Sequence, residues 1–94
     1  MSIEITDDAV EVLRRSLQLG SVGEGGGIRL RAARGLGGGV DIQVELADGP
    51  LEGETVVDKD GVKVFVDPEV TSTIPDAIVA VEPQHETVVV RPAD

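Results

Sequence analysis

Apolar residues near the amino terminus recur with the spacing of an amphipathic helix. Three of them follow the i, i+3, i+7 pattern that places side chains on one helix face: Val10, Leu13 and Leu17. Thr6 stands before this pattern as a predicted N-cap, and Gly20 stands after it as a predicted stop. The pattern predicts a helix from about Asp7 to Leu19, with a short strand over Ile3 to Ile5 before it.

Further along the chain the pattern changes to the period-two alternation that is typical of strands. Two alternating runs, Ile28 to Ala33 and Val40 to Leu46, predict a hairpin. In this hairpin Arg29 and Arg31 would both face acidic residues of the second strand, as weak exposed ion pairs. Four more strands are predicted from apolar runs between turns: Glu54 to Val57, Val62 to Val66, Ala77 to Val81 and Thr87 to Arg91.

Turn and cap residues separate these strands. Asp58 to Gly61 and Pro83 to Glu86 predict tight turns. Asp67 and Pro68 predict the start of a short helix that Pro75 ends. The sequence therefore predicts a strand-dominated α+β domain with mixed and antiparallel sheets, one long N-terminal helix and one short helix. We expect residues 1–94 to form this single domain.

Charge and composition exclude several classes of partner. The 94 residues carry 18 acidic and 8 basic side chains, a net charge of −10, which repels phosphate backbones and anionic membranes. With one phenylalanine, no tryptophan and no tyrosine, the chain lacks a base-stacking platform. No signal-like or membrane-spanning run is present, so we expect a cytoplasmic protein. Solubility, a basic partner and adaptation to high salt all remain open as reasons for the charge.

Candidate catalytic and metal-binding residues are few. The sequence contains no cysteine and one histidine, His85, so thiolate chemistry and a structural zinc site are both excluded. None of the serines has a partner base, and Asp58 to Gly61 lacks the later ligands of a calcium loop. We therefore expect no catalytic residue, no metal ligand and no cofactor, and a protein that is not an enzyme.

The glycine-rich connection of the predicted hairpin is the best candidate for a binding site. It consists of Arg34, Gly35, Leu36, Gly37, Gly38 and Gly39. A phosphate loop would lead into a helix and would carry a lysine, whereas this segment leads into a strand and has none. A flexible hairpin loop, a backbone site for a small anion helped by Arg34, and a contact surface for a protein partner all remain open.

Several segments, in their order, resemble the HesB/IscA-like domains, the A-type carriers of iron–sulfur cluster assembly. The similarity begins with Ile5 to Val10 and the helix that follows, and continues through Gly27 to Leu30 and the glycine loop. The block Asp60 to Asp67, DGVKVFVD, is the most specific part. Together these segments cover nearly the whole chain, about Ile3 to Arg91.

The resemblance implies the fold, and self-association is common in the family. It also implies a cluster held by three cysteines, one in the glycine loop and two in a C-terminal Cys-x-Cys. Gly37 stands at the loop position, and the C-terminal pair has no counterpart within these 94 residues. We therefore expect a non-catalytic interaction or accessory role related to iron–sulfur assembly, with a protein partner. The alternatives are an iron or cluster carrier with other ligands and a small-anion-binding domain.

Overall fold

The computed structural model describes residues 2–20, 22–23, 25–34, 39–84 and 87–93. Seven strands and two helices follow one another in this part of the chain. Their bounds, in chain order, are β1 (Ser2–Ile5), α1 (Asp7–Leu19), β2 (Gly27–Arg34), β3 (Val40–Ala47), β4 (Thr55–Lys59), β5 (Val62–Val66), α2 (Pro68–Thr73), β6 (Asp76–Glu82) and β7 (Thr87–Pro92). The predicted strand-dominated α+β class is confirmed, and most predicted boundaries lie within one or two residues of these.

The strands form two sheets. One sheet has three strands in the order β1-β6-β7, and the other has four in the order β3-β2-β5-β4. Each sheet is mixed, because β1 runs parallel to β6 and β2 runs parallel to β5, while the remaining pairs are antiparallel. The side chain of Lys59 in β4 donates a hydrogen bond to the backbone carbonyl of Ile5 in β1, which links the two sheets where α1 begins.

Helix α1 packs against strands of both sheets, and its apolar face forms the centre of the core. The side-chain oxygen of Thr6 accepts a hydrogen bond from the backbone N–H of Ala9 at 3.2 Å, which confirms the predicted N-cap. The main core cluster joins this helix to both sheets: Ile5, Ala9, Val10, Leu13, Ile28, Leu30, Val62, Val64, Val66, Val70 and Val79. Burying these side chains is the main favourable contribution to folding.

Local chemistry also sets the bounds of α2. The Asp67 carboxylate accepts from the backbone N–H of Glu69 at 2.8 Å, and Pro68 occupies the first turn. The helix ends at Ile74, whose φ of −129° and ψ of 90° are extended. A residue before proline avoids the helical region, so Pro75 explains this stop.

The turn between β4 and β5 is tighter than the sequence predicts. Asp58 and Lys59 belong to β4, and only Asp60 and Gly61 form the connection, with φ values of 52° and 86°. Two successive positive φ angles are typical of the two-residue hairpin turn that matches the twist of its strands, and Asp-Gly is a favoured pair there. The Asp58 carboxylate also accepts from the backbone N–H of Gly61 at 3.2 Å.

Gly27 allows β2 to lie close to β5. A Cβ atom at this position would collide with the backbone carbonyl of Lys63, which cannot move without disturbing the strand that carries it.

Neither described helix combines the length and the apolarity that crossing a membrane requires.

Candidate functional site

The strands of the glycine-loop hairpin pair along their whole length. Their register runs from Gly27 opposite Ala47 to Arg34 opposite Val40. Of the predicted site, Gly35, Leu36, Gly37 and Gly38 lie outside the described residues. Its two flanking members, Arg34 and Gly39, are described, and both are exposed at the end of the hairpin.

Gly39 is not required by crowding. A Cβ atom built on it would meet no other atom within 4 Å, and its φ lies outside the left-handed region. At Gly39 the space is open, so the position tolerates a side chain that a partner could contact.

The three arginines of β2 do not converge on one place. Alternation along β2 places Arg29 and Arg31 on one face of the sheet and Arg34 on the other. Arg29 and Arg31 also lie within hydrogen-bonding distance of carboxylates. Arg29 and Arg31 are therefore not placed beside Arg34 to help it bind an anion.

The predicted cross-strand charge pairs are partly wrong. Arg29 does lie opposite Glu45, but Arg31 lies opposite the neutral Gln43. Arg31 instead reaches diagonally to Glu45, at 3.5 Å between two exposed side chains. A contact of this kind contributes little to stability.

Arg29 pairs with a residue that the hairpin prediction did not include. Its Nε lies 2.7 Å from the Glu54 carboxylate, in a pair whose side chains are 14% and 3% exposed. The same guanidinium donates to the backbone carbonyl of Gly49 at 2.8 Å. The Glu54 carboxylate also accepts from the backbone N–H of Leu51 at 2.6 Å. This network ties the segment between β3 and β4 to the sheet.

The same network sets the ionisation of both side chains. Burial alone would raise the pKa of the Glu54 carboxyl, but the hydrogen bonds from Arg29 and Leu51 and the charge of Arg29 outweigh it, so this pKa lies below its ordinary value of 4.5. The hydrogen bond to Glu54 raises the pKa of Arg29, although burial opposes that shift. Both groups are therefore charged at neutral pH.

The lowered pKa of Glu54 predicts a loss of stability in acid. A depressed carboxyl pKa contributes stability above the unfolded-state pKa, and this contribution is lost as pH falls through the folded-state value. We expect the free energy of unfolding to decrease below about pH 4.5 with a component that Glu54→Gln removes. Urea denaturation from pH 7 to pH 3 measures it. Glu45→Gln, at the exposed Arg31 pair, is the matched control and should retain the full acid dependence.

Equal acid dependence in the wild type and Glu54→Gln would contradict this assignment. The comparison between variants is essential because the chain carries 18 acidic residues in all. Their protonation also relieves repulsion within the folded state, which acts in the opposite direction.

The remaining candidates for metal binding and for nucleophilic chemistry form no site among the described residues. His85 and Glu86, at the predicted turn between β6 and β7, lie outside the described residues. Among the residues that the structure describes, no group of three His, Asp or Glu side chains is placed to hold a metal ion. The Ser16 hydroxyl donates to the backbone carbonyl of Val12 at 3.0 Å, a bond typical of helical serines.

A groove of about 460 Å³ lies where α1 meets the outer strands β3 and β7 of the two sheets. Sequence reasoning did not predict it, because it arises from the packing of three distant segments. Its polar lining consists of Ser16, Glu45 and Thr87, and the rest is apolar. Leu46, at its rim, is 43% exposed.

Three solved structures share this architecture. Escherichia coli SufA, involved in the biosynthesis of iron–sulfur clusters, superposes with a TM-score of 0.75 over 96% of this chain and 77% of its own, at 17% identity. A crystal structure of IscA with a [2Fe-2S] cluster gives 0.76 over 95% of this chain and 81% of its own, at 18% identity. A solution structure of an Aquifex aeolicus protein gives 0.68 over 95% and 89%, at 26% identity.

These matches confirm the resemblance to HesB/IscA-like domains at the level of the fold. The chain has the fold of SufA and IscA, and its 94 residues contain no cysteine.

Sequence comparison gives a less informative relative. An uncharacterized protein of Bradyrhizobium diazoefficiens, blr1755, is 37% identical over 65 residues, which is 69% of this chain. The match spans 60% of the length of that relative. No family model matches the chain.

Proposed function

We propose that this chain is a non-catalytic protein-interaction domain that acts beside iron–sulfur assembly without carrying a cluster. The observation that carries the proposal is a fold shared with SufA and IscA in a sequence that contains no thiolate. What the chain shares with these proteins is the fold. What it lacks is the donor chemistry.

Ligand chemistry supports the absence of a carrier role. Iron–sulfur clusters are held by soft, anionic thiolates, and Asp, Glu and His are harder donors that hold such clusters poorly. Position 37, which the resemblance aligns with a loop cysteine, is a glycine without any donor. The described residues offer no alternative group of three ligands.

Anaerobic reconstitution with ferrous iron and sulfide tests this proposal. After desalting, we expect colourless protein without stoichiometric iron, because no ligand set retains the cluster. IscA or SufA, treated in parallel, serves as the positive control. Retained iron and sulfide with charge-transfer absorption would overturn the proposal and support a carrier that uses other ligands.

The partner surface is proposed to include the glycine loop. We expect Gly37→Val to reduce capture of a partner by the immobilised chain while far-UV circular dichroism stays unchanged. Gly23→Ala is the control, because Gly23 lies outside the glycine loop and a methyl group there meets no other atom within 4 Å. The same captured proteins in equal amounts on the wild type and Gly37→Val would contradict a role for the loop.

A further inference from the structure

We propose that the groove between α1, β3 and β7 binds apolar side chains of a positively charged segment from a partner protein. This inference deepens the interaction role proposed above and rests on it. It assigns a second surface, because the groove contains Leu46, near the end of β3 that pairs with Gly27. The glycine loop leaves the opposite end of the hairpin, beyond Arg34.

The groove has the construction of a site for anchoring side chains. Leu13 and Ile28, each 2% exposed, belong to the core and form its floor. Val44 and Val88, both half-buried, line its two sides from the outer strands of different sheets. The affinity of a protein interface depends mainly on a few side chains of the partner that leave water and fill a recess of this kind.

Apolar surface continues beyond the groove along α1. Val12 and Ser16 also line an adjoining depression together with Arg15 and Leu19. Leu19 is 84% exposed, the most exposed large apolar side chain among the described residues. Exposed apolar side chains beside polar ones, such as Leu19 beside Arg15, are typical of an interaction site.

Charge selects a basic occupant over a second copy of the chain. Glu45 is the one charged residue among the described residues that line the groove, and its contact with Arg31 is exposed and long at 3.5 Å. Asp41 lies on the same face of β3 as Glu45 but outside the groove, so among the described residues Glu45 alone places negative charge at the groove itself. Each copy has a net charge of −10, which disfavours self-association and attracts lysine and arginine.

A tryptophan-containing peptide tests the groove directly. The chain has no tryptophan or tyrosine, so emission from a short peptide with leucine and tryptophan between lysines reports its burial without background. We expect saturable binding with a blue shift, and roughly tenfold weaker binding to Leu46→Ser, because this change removes apolar surface at the rim that the bound peptide would bury. Leu51→Ser is the matched control, since Leu51 is 61% exposed and lies outside the groove.

The charge component has its own comparison. A peptide with glutamates in place of the lysines should bind at least about tenfold more weakly at low salt. Glu45→Gln should weaken binding of the basic peptide and reduce its salt dependence. Circular dichroism of each variant verifies that the fold is intact.

Three results would overturn the proposal. The first is no binding of the basic peptide at millimolar concentration, and the second is equal weakening by Leu46→Ser and Leu51→Ser. The third is a wild-type dimer in sedimentation that Leu46→Ser dissociates, because a second copy would then occupy the groove. If Gly37→Val loses partner capture and one of these three results is also obtained, the proposed function is supported and only the groove proposal is rejected.

Discussion

Replacing Arg29 with alanine is expected to lower the free energy of unfolding by about 3 kcal/mol, because it leaves the Glu54 carboxylate buried without its cation. Glu54 is 3% exposed and would retain only the backbone N–H of Leu51 among its present hydrogen-bond donors. This expected loss lies at the lower end of the range for buried ion pairs, because the Arg29 side chain is 14% exposed. The change should lower the melting temperature by roughly 12–24 °C in a domain of this size.

Arg31→Ala is the matched control for this prediction. Arg31 lies two residues away on the same face of β2, but its contact with Glu45 joins two exposed side chains, so we expect a loss below about 1 kcal/mol. Thermal and urea unfolding followed by far-UV circular dichroism measure both. Similar losses in the two variants would show that burial of the Arg29 pair has no special importance.

A double replacement separates the cost of an orphaned charge from the value of the pair. Arg29→Met with Glu54→Leu removes both charges and keeps apolar volume, so it should recover much of the stability that Arg29→Ala loses. If the double variant is as unstable as Arg29→Ala, the hydrogen bond to the Gly49 carbonyl is the more important contact.

The elements that could be predicted from sequence are those whose signals lie close together in the chain. The N-cap at Thr6, the stripe from Val10, and the Asp67-Pro68 start of α2 each depend on residues within two turns of one another. The alternation in β2 and β5 likewise agrees with the burial of Ile28, Leu30, Val62, Val64 and Val66, although it does not account for the buried Phe65. These signals depend on local geometry, so they can be recognised without knowledge of the tertiary structure.

The site could not be derived in the same way. Arg29 and Glu54 are 25 residues apart, and no local pattern connects a strand arginine to a carboxylate at the start of a later strand. The alternation suggested an acidic residue of the second hairpin strand as the partner, because it considers that hairpin alone and not the segment between β3 and β4. The groove likewise requires the relative position of two sheets, which periodicity does not contain.

The family resemblance predicted the fold in more detail than the residue patterns did. It predicted less about the function. The DGVKVFVD block supplies a tight turn at Asp60-Gly61, core residues of β5 and the cap of α2. All of these are structural roles. A block with these roles predicts an architecture and gives no information about the chemistry of the protein.

Replacing Phe65 with alanine is expected to lower the free energy of unfolding by about 3–5 kcal/mol, the cost of truncating a fully buried phenylalanine. Phe65 has no exposed surface, although it is on the sheet face opposite Val64 and Val66, which belong to the main core. Phe65 lies opposite Arg29 of the neighbouring strand β2. Arg29 holds the segment around Gly49 against the same face of the sheet through a hydrogen bond to the Gly49 carbonyl. We infer that this segment closes over Phe65.

Phe65→Leu is the control, since it conserves most of the apolar volume and should cost less than about 1.5 kcal/mol. Because Arg29 holds the covering segment, the losses from Arg29→Ala and Phe65→Ala should not add: once the segment is released, truncating Phe65 removes less buried surface. Urea denaturation of both single variants and the double variant measures this coupling. Strict additivity, or a Phe65→Ala variant within about 1 kcal/mol of the wild type, would show that Arg29 and Phe65 do not share a covering segment.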